Sequence, residues 1–204
     1  LNPFIKDIAS IYNLPAFDKK NLYFTNSLGE IQSVSLKNKA VNWKIQTGNS
    51  LYFSPIVVKN NLIEGTIEGN ILGIDTQTGK QKWSTSVGGV LVGSPIVENN
   101  KLYTESSTAF VCVDAVTGKL LWENKLPKSY SQGIPVIHGD KIIYGVWDSY
   151  IYCLDKNTGN LIWKWNNGNE NQILYSAGNV NMVATKKRLY FVTPQRFLTI
   201  LDIE

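Results

Sequence analysis

One ten-residue phrase recurs along the chain: IDTQTGKQKW at 74–83, VDAVTGKLLW at 113–122 and LDKNTGNLIW at 154–163. Its landmarks keep step: Asp75, Asp114 and Asp155; Gly79, Gly118 and Gly159; Trp83, Trp122 and Trp163. A degenerate copy, VSLKNKAVNW (34–43), keeps Trp43 but has neither the aspartate nor the glycine. A second series, Pro15, Pro55, Pro95 and Pro135, runs in the same step; after the last three comes a short apolar run, a polar turn and a second apolar run. A period of about forty residues constrains the fold more than any single motif, because each unit must bury its apolar face on the next.

Each unit holds four short strand candidates. In the second they are SPIVV (54–58), NLIEGT (61–66), NILGID (70–75) and KQKWSTS (80–86). We label such strands A to D from the centre outwards. Four strands per repeat predict an all-β fold, a β-propeller of four-stranded antiparallel blades, about five in this chain. The absence of a sustained 3.6-residue period disfavours a helical solenoid, and the abundance of Trp and Tyr suits pleated surfaces. Asp-x-x-Thr-Gly reads as a tight C-to-D hairpin with a positive φ at glycine. The tryptophan reads as a wedge between blades whose N–H finds a carbonyl. One aspartate per blade at the same turn puts these carboxylates blade-widths apart, which suits structure better than metal binding.

The expected organisation is one domain over 1–204, with blades at 14–46, 54–86, 94–125 and 133–165 and a partial blade at 180–202. Residues 1–10 read as an outer strand with Phe4 in the tryptophan's place. That strand would complete the last blade and close a five-bladed ring, hiding the sheet edges. The alternative is that these blades form part of a seven- or eight-bladed propeller.

A formal charge of +4, with two arginines among twenty basic residues, does not point to nucleic acid. No apolar run is long enough to span a membrane as a helix. Cys112 and Cys153 occupy the same position in consecutive repeats and read as buried thiols rather than a disulfide. His138 reads as a surface residue of an A-to-B turn. There is no serine elbow, no HxxxH pair and no phosphate loop; GVLVGSP (89–95) precedes a strand and reads as a turn.

The repeats resemble the tryptophan-docking repeats of the pyrroloquinoline-quinone-like propeller superfamily over nearly the whole chain. That superfamily includes quinone-dependent dehydrogenases, a propeller lipoprotein that scaffolds outer-membrane protein assembly, and sensor or carbohydrate-related proteins. The resemblance implies pyrroloquinoline quinone and calcium for an enzyme, and no cofactor for a scaffold. The enzymatic branch fits poorly, since its members commonly carry a disulfide between adjacent cysteines and Cys112 and Cys153 are not adjacent. Expected, therefore, is a non-catalytic protein-binding scaffold, periplasmic or outer-membrane-associated by resemblance and compatible with peripheral or lipid-anchored attachment. A quinone-dependent dehydrogenase, or a part of one, and a carbohydrate-binding sensor module are the alternatives.

Antiparallel strands put the D-to-A and B-to-C loops on one face of the disc and the A-to-B and C-to-D turns on the other. The first face is irregular. Its longest loop, NNGNENQILYSAGN (166–179), carries Ile173, Leu174 and Tyr175, and adjacent turns carry Trp147, Tyr150 and Arg196. Aromatic and aliphatic residues beside an arginine have the composition of a protein-binding hot spot. The second face collects lysines, which keep a β protein soluble or orient it against an anionic surface.

Overall fold

The computed structural model describes residues 13–126, 129, 131–168, 181–192 and 197–203. It contains four four-stranded antiparallel sheets and one of three strands. The first blade comprises β1 (Ala16–Phe17), β2 (Asn21–Thr25), β3 (Glu30–Ser35) and β4 (Val41–Gln46). The second has β5 (Ile56–Val58), β6 (Asn61–Gly65), β7 (Asn70–Asp75) and β8 (Gln81–Ser86). The third has β9 (Ile96–Glu98), β10 (Lys101–Glu105), β11 (Phe110–Asp114) and β12 (Leu120–Asn124). The fourth has β13 (Val136–His138), β14 (Lys141–Gly145), β15 (Ile151–Asp155) and β16 (Leu161–Trp165). The fifth has β17 (Met182–Ala184), β18 (Arg188–Val192) and β19 (Leu198–Asp202). In every blade each strand pairs with the next in sequence, which is the propeller meander. The expected closing strand, residues 1–10, lies outside the described residues.

The A strands are shorter than the apolar runs suggest. Ser54 N–H leaves the ladder and donates to Gly93 O of the next blade at 3.3 Å. His138 ends β13 rather than sitting in the turn after it; its Nε2 lies 3.1 Å from Lys186 O of the fifth blade.

The C-to-D hairpins follow the repeat. Asp75 Oδ1 accepts from the backbone N–H of Gln77 and Thr78 and from the Thr78 hydroxyl, all within 3.0 Å. Asp114 and Asp155 hold the same turn through Val116, Thr117, Asn157 and Thr158. At Asp114 and Asp155 the amides of Thr117 and Thr158 are the largest influence, and they keep the carboxyls below their usual range. Burial pulls Asp75 up, but bonds from Thr78 and Gln77 outweigh it. In the degenerate first repeat the backbone does the same without the residues: Lys39 takes φ 65° where Gly79 has 72°.

The indoles work across repeats. Trp43, Trp83 and Trp122 donate through Nε1 to Thr76, Val116 and Lys156 of the following blade at 3.0, 3.1 and 3.2 Å. The landmark glycine of that following blade forms the floor of the seat. A Cβ built on Gly118 would fall 2.6 Å from the Trp83 ring, and Gly79 and Gly159 lie likewise under Trp43 and Trp122.

Two devices aim each indole. The register shifts by one residue in every D strand just before the tryptophan, as between Gly73 and Ile74 in the β7–β8 pair. Such a bulge adds local twist and re-aims the side chain. Opposite the repeat tryptophans Trp43, Trp83, Trp122 and Trp163 stand small residues: Ser33, Gly73, Cys112 and Cys153. This explains the two cysteines, both free and buried. Burial pushes their thiols up to about 11 and about 12, so they are protonated at neutral pH and poor nucleophiles.

Apolar clusters fill the four successive interfaces. Tyr23 and Ile31 meet Leu62 and Ile74; Ile63 and Ile71 meet Leu102 and Val113. Tyr103 and Phe110 meet Ile142 and Tyr144; Ile143 and Ile151 meet Leu189 and Phe191. Stability thus comes from between the blades as well as within them.

Candidate functional site

The loops of one face are pinned before they are displayed. Asn26 Oδ1 accepts from the N–H groups of Leu28 and Glu30 at 3.0 and 3.1 Å, and Thr66 Oγ1 from Asn70 N–H at 3.2 Å. Ser106 Oγ takes the same place in the third blade. D-to-A loops are tied to these turns: Val90 N–H donates to Ser107 Oγ at 2.9 Å, and Ser107 N–H returns a bond to Val90 O at 3.0 Å.

This scaffold carries apolar side chains outward. Leu28, Ile67 and Phe197 project from B-to-C turns and Val90 and Leu126 from D-to-A loops, with Phe197 70% and Leu28 66% exposed. Among the described residues, the A-to-B and C-to-D turns expose one large apolar side chain, Leu36. These tips were not singled out from the sequence, although their alternation with turn glycines (SLGE, IEGN) was the available signal.

Of the residues singled out, Trp147 is half-buried in the fourth B-to-C turn. Its neighbour Asp148 accepts from the Tyr152 hydroxyl at 2.6 Å and from Tyr150 N–H at 3.1 Å. Lys164 Nζ stands 4.3 Å above the Tyr150 ring, a cation–π contact. Ile173, Leu174, Tyr175 and Arg196 lie outside the described residues. The fourth turn is also strained. Ser149 holds φ 73° where Gly29 and Gly69 hold 83° and 79° in the first two blades. Ser149→Gly is therefore expected to raise unfolding free energy by about 1 kcal/mol, read by urea denaturation; Lys39→Gly should do the same at its hairpin.

Beneath the face lie two carboxyls that the sequence reading passed over, although each interrupts an apolar B strand. Glu64, at the interface of the first and second blades, is fully buried, with Gly65 N–H donating to Oε1 at 3.1 Å. Glu105, at the interface of the third and fourth, is 5% exposed, and neither of its oxygens nor the Tyr144 hydroxyl has a hydrogen-bond partner among the described residues. Desolvation raises both carboxyls well above their usual range; at Glu105 the charge of Asp148 adds to it.

At the inner ends of the D-to-A loops, beside the A strands, is a cavity of about 440 Å³. Tyr52, Val92 and Gln132 contribute from three successive loops, and Leu14, Ser54, Ser94 and Asn13 complete it. None of these seven described lining residues carries a formal charge, so they offer a carboxylate-bearing quinone no cationic partner, while Asn13 and Gln132 supply neutral amide oxygens of the kind calcium accepts. Among the described residues, no group of three or more His, Cys, Asp or Glu could hold a metal ion.

A sequence profile of the family described as outer membrane protein assembly factor BamB matches residues 51–109 and 68–204. Quinoprotein ethanol dehydrogenase of Pseudomonas aeruginosa is 36% identical over 69 residues, 30% of this chain and 11% of that one. The crystal structure of BamB from Moraxella catarrhalis superposes with a TM-score of 0.74 at 15% identity, over 94% of this chain and 57% of that one. A europium-containing methanol dehydrogenase gives 0.75 at 14% identity, over 92% and 48%. The chain thus spans about half the length of these two structures, and at such identities they show the propeller fold alone.

Proposed function

The chain belongs to the outer membrane protein assembly factor BamB family, and from that premise we propose that it is a non-catalytic scaffold. Its D-to-A and B-to-C loops hold a protein partner during assembly of bacterial outer-membrane proteins. The observation that carries this reading is the apolar asymmetry of the turns: Leu28, Ile67, Val90, Leu126 and Phe197 project from one face, and among the described residues Leu36 alone from the turns opposite, with Phe17 and Val41 exposed at the strand ends beside them. Apolar tips on loops fixed by side-chain bonds lose little entropy on docking, which favours binding by pre-organisation. Trp147, Ile173, Leu174, Tyr175 and Arg196 belong to the same proposed surface. The family also supports a periplasmic or outer-membrane-associated location. No helix among the described residues is long and apolar enough to cross a membrane.

A photo-crosslinking residue at Ile67 should capture a partner that one at Leu36 does not. With that partner purified, Phe197→Ala or Trp147→Ala is expected to weaken binding by about 2 kcal/mol, roughly thirtyfold, and Leu36→Ala to leave it unchanged. Equal losses at all three positions would reject the assignment of the face.

The match to a quinoprotein dehydrogenase favours a second reading, that of a quinone-dependent oxidoreductase or a part of one. Absorbance after incubation with pyrroloquinoline quinone and calcium separates the two. A retained stoichiometric chromophore supports the enzyme, and its absence supports the scaffold.

A further inference from the structure

We propose that the cavity at the inner ends of the D-to-A loops binds a neutral saccharide of one or two rings. This inference goes beyond the scaffold reading and does not depend on it. The cavity is written into the repeat. Tyr52, Val92 and Gln132 each stand three residues before a landmark proline, and Leu14, Ser54 and Ser94 each stand one before. Successive blades therefore present equivalent positions toward one space, and the residue types at those positions decide what that space accepts.

Those types are consistent with each other. The described lining holds no Asp, Glu, His, Lys or Arg, so it offers phosphates, carboxylates and amines no countercharge. Five of the seven, Asn13, Tyr52, Ser54, Ser94 and Gln132, carry hydroxyl or carboxamide groups that both donate and accept. Each sugar hydroxyl likewise donates and accepts, so this set matches a polyol better than a purely accepting or purely donating ligand. Parts of the set are already fixed. Ser94 Oγ donates to Ser54 Oγ at 3.0 Å, and Asn13 Nδ2 donates to Leu51 O at 3.2 Å and to Thr25 Oγ1 at 3.3 Å. Tyr52, 39% exposed, supplies the aromatic ring on which the C–H face of a pyranose packs. The volume of about 440 Å³ falls within the usual range of small-molecule sites. An extended peptide is the rival occupant, since the A strands beside the cavity are the edge strands of their sheets, and titration with triglycine separates the two.

The test is calorimetric titration of the whole chain with maltose, cellobiose and N,N′-diacetylchitobiose. At least one is expected to bind with a Kd of about 1 mM or tighter. Tyr52→Ala is expected to weaken that binding by about tenfold or more, with a tryptophan emission spectrum and thermal midpoint confirming the fold. Gln132 is exposed, so Gln132→Ala leaves folding intact and should weaken binding as well. The proposal is overturned if none of the three sugars binds up to about 10 mM. It is also overturned if binding survives both substitutions unchanged, or if triglycine occupies the site and the sugars do not.

Discussion

Alanine at Gly118 is expected to cost about 3 kcal/mol of unfolding free energy, enough to threaten a domain of ordinary stability. Two penalties combine. Gly118 holds φ 78°, where a Cβ costs about 1–2 kcal/mol. The new carbon would also fall 2.6 Å from the Trp83 ring. The indole must then leave its seat and give up its bond to Val116 O, a further loss of about 1 kcal/mol before packing is considered. Gly139 provides the control. Its φ is 57°, but a Cβ there meets nothing within 4 Å, so Gly139→Ala reports the backbone penalty alone. The difference between the two urea midpoints measures the seat. Equal losses would mean that the glycine under the indole matters only for its backbone, and the interblade lock described above would be wrong.

A second large effect is expected from pH. Glu105 sits at the interface of the third and fourth blades among Tyr144, Tyr152 and Asp148, and its carboxyl is raised by desolvation and then by the Asp148 charge. Between the ordinary carboxyl range and this raised value the native state holds a proton that the unfolded chain has lost. Stability is therefore greatest below the unfolded value and falls as pH rises through that window, by at most about 1.4 kcal/mol per pH unit for one proton. Glu64 behaves in the same sense at its own interface. The hairpin aspartates act oppositely: Asp114 and Asp155 are lowered, so their contribution is lost as pH falls through the acid range. Glu105→Gln should leave the acid limb in place and reduce the loss between about pH 5 and 8, with the share of Glu64 remaining, as read in a thermal-unfolding series. A wild-type midpoint that does not fall over that interval would show that Glu105 is not held as the neutral acid.

The pattern of what the sequence disclosed follows from the range of each interaction. Landmarks that work within a few residues were legible: Asp75, Thr78 and Gly79 make a turn out of their own segment, so the turn is spelled locally. The propeller followed, because a repeated four-strand unit has few other ways to bury its faces. The phrase nonetheless misled about partnership. Its tryptophan and its glycine look like one motif, yet Gly118 seats Trp83 and Trp122 belongs with Gly159. Trp43 survives in a repeat without aspartate or glycine because its seat lies in the second blade. The bulge before each indole is a register event with no composition of its own. Glu105 is buried because its neighbours in space come from another blade, and the exposure of Phe197 is likewise set by the surrounding blades; neither is written within its own segment. Of the candidate surface, Trp147 and Tyr150 were legible as aromatic turn residues, whereas the projecting aliphatic tips were masked by their resemblance to core positions.

The spacing between an indole and its seat also sets a clock. Trp83 bonds to a carbonyl 33 residues further along the chain. A chain that appears from its N terminus at about 5–20 residues per second takes on the order of seconds to cover that interval. During it a newly emerged sheet has its strands but not its lock, and presents a wet tryptophan to whatever is nearby. Each sheet secures the one made before it, so a growing chain is expected to carry one unsecured unit at its leading edge, the natural place for a chaperone to grip.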